Sequence, residues 1–102
     1  MSLLLSEYPE LEFDVQMVNP GMEISPYSEA PIWGKILSQE PVTGNYVSVS
    51  NIRAREGSRW YIKHSEGILV EKGNVVYLIA ANRTQTAQFI DAGSVVGRAR
   101  II

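Results

Sequence analysis

"EGILVEKGNVVYL", residues 66–78, is the most patterned stretch of this chain. Gly67 and Gly73 bracket Val70, and an apolar run, Val75 to Leu78, follows. Glycine permits the tight turns that separate short strands, and Val and Tyr suit a pleated, half-buried surface. The stretch therefore reads as turn, strand, turn, strand. Its neighbours repeat the grammar. "PVTGN" (41–45), "REGS" (55–58), "SEG" (65–67) and "EKGN" (71–74) supply turn signals between apolar runs. Their spacing is that of a small sandwich or barrel. Strands are expected at 32–38, 45–52, 59–64, 74–81, 86–91 and 95–101.

Upstream, the composition changes. Residues 1–34 hold six acids (Glu7, Glu10, Glu12, Asp14, Glu23, Glu29) and no lysine or arginine. Residues 35–102 hold all nine basic residues against five acids. Pro9, Pro20, Pro26 and Pro31 also lie in the first part. Proline fixes φ and removes an amide donor, so this part should be extended rather than helical. Within it, "LEFDVQM" (11–17) alternates Leu11, Phe13, Val15 and Met17 with polar residues. That is the pattern of a strand with one face buried. "NPG" (19–21) then turns the chain. The expected organisation is an acidic, proline-rich arm over 1–31 containing one strand, then a compact β-body over 32–102. The fold class is all-β: a barrel or sandwich of about six to eight short strands, with an extended N-terminal arm.

Composition bounds the function. At 102 residues and 45% apolar content, one domain with a real core is expected. A net charge of −2 gives no global pull toward nucleic acid or membrane. There is no cysteine, which excludes disulfides, thiolate catalysis and cysteine-zinc sites, and leans toward a reducing compartment. "MSLLLSEYPE" lacks the basic start of a signal peptide, and no apolar run is long enough for a membrane-spanning helix. "NRT" (82–84) fits a glycosylation acceptor but reads as a turn. His64 is the only histidine, and carboxylates do not cluster at ligand spacing. Ser94 in "AGSVVG" lacks the flanking pattern of a nucleophile elbow, and no glycine loop opens a helix to hold phosphate. No enzyme, cofactor or metal is expected.

Two binding surfaces suggest themselves. One is the apolar set Leu11, Phe13, Val15 and Met17 on the arm, with Trp33 where arm meets body. Aromatic anchors are enriched at hot spots, and an extended strand can add to an open sheet edge. Tyr27, Tyr46, Tyr77 and Trp60 are further aromatic candidates. The other is "NIRAREGSRWYIKH" (51–64), with Arg53, Arg55, Arg59 and Lys63 against Glu56. In a strand, Arg59, Tyr61 and Lys63 share a face opposite Trp60, Ile62 and His64. Cations beside a stacking ring suit single-stranded nucleic acid, but an ordinary wet face, or pairing with the acidic arm of this chain or a neighbour, weighs more. Arg98 and Arg100 extend either reading.

Two families are similar in part. "EGILVEKGNVVYLI" and "GSVVGRARI" resemble the E-G-x-x-V-x-K-G hairpin and a later strand of biotinyl/lipoyl carrier domains, over roughly 56–102. Those domains present a lysine at a hairpin tip. Here "AANRTQT" (80–86) places Arg83 there, and a guanidinium cannot form the attaching amide. The resemblance thus implies a degenerate docking domain. Second, Gly73, Val76, Tyr77 and Leu78, then "NRTQT", "AQFI" and "VVGRA" (95–99), resemble the small head-decoration proteins of tailed bacteriophages. That resemblance implies a non-catalytic virion protein, a homo-oligomer such as a trimer, whose arm binds a capsid or neighbouring subunit. The leading reading is a decoration or cement protein on a virion. A single-stranded nucleic-acid barrel is the alternative, and a degenerate docking domain comes third. Outside a virion, a cytoplasmic location is expected.

Overall fold

The computed structural model describes residues 12–52 and 59–102. These residues form nine strands: β1 (Glu12–Met17), β2 (Met22–Ile24), β3 (Ser28–Ile36), β4 (Tyr46–Asn51), β5 (Trp60–Ile62), β6 (Ser65–Leu69), β7 (Val75–Asn82), β8 (Gln88–Ile90) and β9 (Val95–Ile101). Seven make one curled sheet in the order β5-β7-β3-β1-β9-β4-β6, and β2 pairs with β8 in a small second sheet. The all-β class is as the sequence implies.

The curl follows from connectivity. β5 and β6 are the two edges of the large sheet, yet only Lys63 and His64 separate them. Three residue steps reach at most roughly 11 Å, so the sheet must bend until its ends approach. Asn51 of β4 helps close the gap: its Oδ1 accepts the Ile62 amide of β5 at 3.0 Å. Inside the curl lies one apolar core, including Val15, Ile32, Ile36, Val49, Leu78, Ile90 and Val96.

Two close approaches demand glycine. A Cβ on Gly34 would lie 2.5 Å from Val15 Cγ1, and one on Gly97 would lie 2.8 Å from the Ser50 carbonyl. Gly67, with φ +73°, sits where the β4–β6 register slips between Val47 and Val49. An extra residue there makes a bulge, and bulges bend a strand. The sequence reads Ser65–Gly67 as a turn; the bulge lets β6 run through it.

The arm differs from expectation. β1 is a central strand, hydrogen-bonded to β3 through Val15↔Ile36 and to β9 through Glu12↔Arg100 and Asp14↔Arg98. The expected boundary between residues 31 and 32 falls inside β3. Residues 12–31 therefore belong to the body. The physical reason is that β1's alternating pattern buries its apolar face in this chain's own core. Residues 1–11, including Leu11, lie outside the described part.

Candidate functional site

The outer surface of the large sheet has two dissimilar halves. On β1, β9 and the Ser48–Ser50 part of β4 it is polar; at the end of β4, Tyr46 is exposed opposite Leu69. Glu12, Asp14, Arg98 and Arg100 alternate with inward residues, and register sets acid opposite base. Arg100 Nη2 lies 2.9 Å from Glu12 Oε1; Arg98 lies 3.7 Å from Glu12 and 3.6 Å from Asp14. Ser48 and Ser50 continue the rows onto β4. The acidic and basic segments of the sequence thus meet, in part, within one chain.

On β3 and β7 the outer surface is apolar. Pro31 opposes Ile79, Trp33 opposes Tyr77, and Lys35 opposes Val75. Trp33 is 38% exposed and Tyr77 48%. Their rings meet edge to face, with centroids 5.4 Å apart. Cross-strand aromatic pairs favour this geometry because the positive ring edge meets the negative face. The backbone under Trp33 is fixed. Its amide donates to Asn19 Oδ1 at 2.6 Å, and its carbonyl accepts the Val18 amide at 2.9 Å. Val18 is itself exposed beside it.

At one end of this face the surface becomes charged. Tyr61 of β5 opposes Ala81, which opposes Glu29. Lys63 Nζ pairs with Glu29 at 3.0 Å. Arg83 donates its Nε–H to the Tyr61 hydroxyl at 2.6 Å. That hydrogen bond, then the tyrosine's charge interaction, raise the Arg83 pKa above its ordinary value; Glu29 adds a smaller push. Tyr27, Ser28, Glu29, Ala81, Asn82 and Arg83 line a half-open cavity of about 230 Å³.

Asn82 organises that end. It is buried, and its amide group donates to the carbonyls of Ile24 (3.1 Å), Ser25 (3.2 Å) and Thr86 (2.9 Å). Its Oδ1 accepts the Thr84 amide at 2.9 Å. The nitrogen that the "NRT" pattern would offer for glycosylation is committed to the fold. The network and the Tyr27 amide, which donates to Thr84 O at 3.2 Å, hold Tyr27 at φ +52°. A bulky side chain in the left-handed region is uncommon, and surrounding structure must over-determine it.

The sequence-predicted residues divide accordingly. Val15 and Met17 are core residues, 0% and 2% exposed, and Phe13 packs against the core. In this fold they are not a free docking strand, because β1's edges and apolar face are already occupied. Leu11, Arg53 and Arg55 lie outside the described residues. Trp33 is exposed as the sequence suggests. Arg59 is exposed, but Tyr61 and Lys63 are only partly so, and each has a partner in the same chain. Of the other aromatics, Tyr27 and Tyr46 are exposed, while Trp60 packs against the core.

Sequence reasoning missed Arg83 and the pairing of Tyr77 with Trp33. The alternation of Pro31, Trp33 and Lys35 with Ile32, Gly34 and Ile36 was the available signal for an outward face. Among the described residues, no group of three or more His, Asp or Glu could hold a metal ion. Comparison with protein-family models, with curated proteins and with solved structures finds no match to this chain.

Proposed function

We propose that this chain is a non-catalytic assembly protein that works by docking the outer face of β3 and β7 onto a neighbouring protein surface. The observation that carries the reading is the exposed Trp33–Tyr77 pair in an apolar row with Pro31, Ile79 and Val75. Aromatics set in a rigid sheet lose little side-chain freedom on binding and supply large contact area. A polar surround completes an interface, and here Lys35, Lys63 and Glu29 flank the row.

A virion-decoration role is the setting that the phage resemblance supplies. Of the residues that carry it, Val76, Leu78, Ile90, Val96 and Ala99 are core positions. They describe how the sheet packs, whereas Tyr77 and Arg98 face outward between buried neighbours and Phe89 is exposed. The proposed mechanism is burial of this face in a homo-oligomer or against a shell subunit, several copies acting together. Linked weak contacts raise avidity without catalytic groups.

Sedimentation equilibrium over a range of concentrations tests the reading. The expected result is a concentration-dependent mass above the monomer. A protein that stays monomeric throughout, and that does not cosediment with a shell from its source, would overturn it.

A further inference from the structure

We infer that the cavity beside Arg83 is an anchor for a carboxylate side chain of an extended, acidic peptide segment, whose apolar residues then run along the β3–β7 face. This inference rests on the assembly reading above and names the chemistry of the partner.

The cavity's size selects a side chain. At about 230 Å³ it is smaller than the roughly 300–1,000 Å³ that small-molecule sites occupy. Its Arg83 end suits an anion, since Glu29, which also lines it, is paired with Lys63. Arg83 is steered by the 2.6 Å bond from Nε to Tyr61, and its Nη groups have no hydrogen-bond partner among the described residues. A guanidinium held through Nε presents a planar fork that matches a carboxylate. Tyr27, 72% exposed and fixed by its backbone, supplies an adjoining ring.

The charges along the face agree. Glu29 is paired with Lys63 at 3.0 Å, and Arg83 has no ion-pair partner among the described residues. From residue 83 to residue 77 along β7 is about 20 Å at strand spacing. That matches an extended peptide of about six residues. An anchored acid at one end would therefore bring following apolar side chains to Ile79, Pro31, Tyr77 and Trp33.

A nucleic-acid strand fits these observations less well. Lys63 is already paired with Glu29 at 3.0 Å, so it is not free to hold a second phosphate beside Arg83. The middle of the face is aliphatic, and Trp33 and Tyr77 already use an edge and a face on each other. Stacking platforms need open ring faces and a track of cations.

Amide and arginine Nε chemical shifts, followed in the full chain, test the inference. The probes are a short capped peptide alternating glutamate with tyrosine and leucine, its glutamine counterpart, and oligo(dT). The glutamate peptide should shift Arg83, Ala81 and Trp33 signals saturably. Arg83→Lys keeps the charge and loses the fork, so binding should weaken by roughly tenfold or more. Arg98→Lys, on the other half of the sheet, should leave binding unchanged. The inference is overturned if the glutamine peptide binds as well, if Arg83→Lys binds normally, if oligo(dT) binds in preference, or if no probe binds. The assembly reading fails separately, through sedimentation. An oligomer with an inert Arg83 cavity would sink only this inference.

Discussion

The β1–β9 and β3–β7 halves of the outer surface are built on the same sheet and face solvent alike, but they solve exposure differently. Over β1 and β9, Glu12 and Asp14 are answered by Arg98 and Arg100 within the chain. Those charges are satisfied without a partner. Over β3 and β7, Trp33 and Tyr77 answer only each other and leave much of both rings in water. Exposed large apolar groups in one contiguous row mark interaction surfaces, while single ones are ordinary. The difference teaches where to look: the charge asymmetry of the sequence is spent partly on internal register, and the Trp33–Tyr77 row is an exposed aromatic pair set in a rigid sheet.

The largest expected effect concerns β1, which underlies the polar half. Deleting residues 1–20 removes the central strand and Val15 and Met17 from the core. The remainder should lose the cooperative near-ultraviolet dichroism and dispersed amide spectrum of a folded sheet. A folded remainder would mean that β1 is a detachable arm, and the polar half would become a candidate docking edge.

Next come two changes that strain the support of the aromatic half. Asn82→Ala removes the hydrogen bonds to the Ile24, Ser25 and Thr86 carbonyls and from the Thr84 amide, although Thr86 O keeps Thr84 Oγ1. The Ile24 bond is buried and the others partly so, and losing them costs about 1–3 kcal/mol, so a fall in melting temperature of about 5 °C or more is expected. Gly34→Ala forces a methyl against Val15 and Leu78, where overpacking costs about 1–3 kcal/mol in denaturant titration. If either variant melts like the parent, the packing beneath Trp33 and Tyr77 is looser than described.

The smallest stability effects should come from the two surfaces themselves, and they should differ in kind. Arg98→Ala with Arg100→Ala removes exposed ion pairs worth about 1 kcal/mol or less, an effect that added salt shrinks. Trp33→Ser with Tyr77→Ser removes an aromatic pair worth about 0.5–1.5 kcal/mol, insensitive to salt. Chemical denaturation at low and high salt separates them. Equal salt dependence would erase the distinction between the halves.

Much of the fold was legible because period-two alternation and glycine turns are local signals. The expected strand at 11–17 contains β1, with Leu11 outside the described residues, and that at 95–101 is β9. β2 has only three residues, Met22–Ile24, too short to show a pattern. β6 was hidden because Gly67 looks like a turn but makes a bulge. The place of β1 was not legible either. Alternation says that one face is buried, but not against which chain. That depends on Arg98 and Arg100 lying opposite Asp14 and Glu12, a register set some eighty residues away in sequence. For the site, Trp33 stood out by its neighbours Pro31 and Gly34. Its partner Tyr77 lies within an apolar run, where nothing local shows which residues face out. Arg83 gains its meaning only through Tyr61, which the sheet brings beside it.

The central claim is that association belongs to the aromatic half. The most direct measurement is the sedimentation mass of two variants side by side, Trp33→Ser/Tyr77→Ser and Arg98→Ala/Arg100→Ala, each confirmed as folded by its amide spectrum. The account predicts that the first is monomeric and the second assembles like the parent. Assembly retained in the first, or lost only in the second, would contradict it.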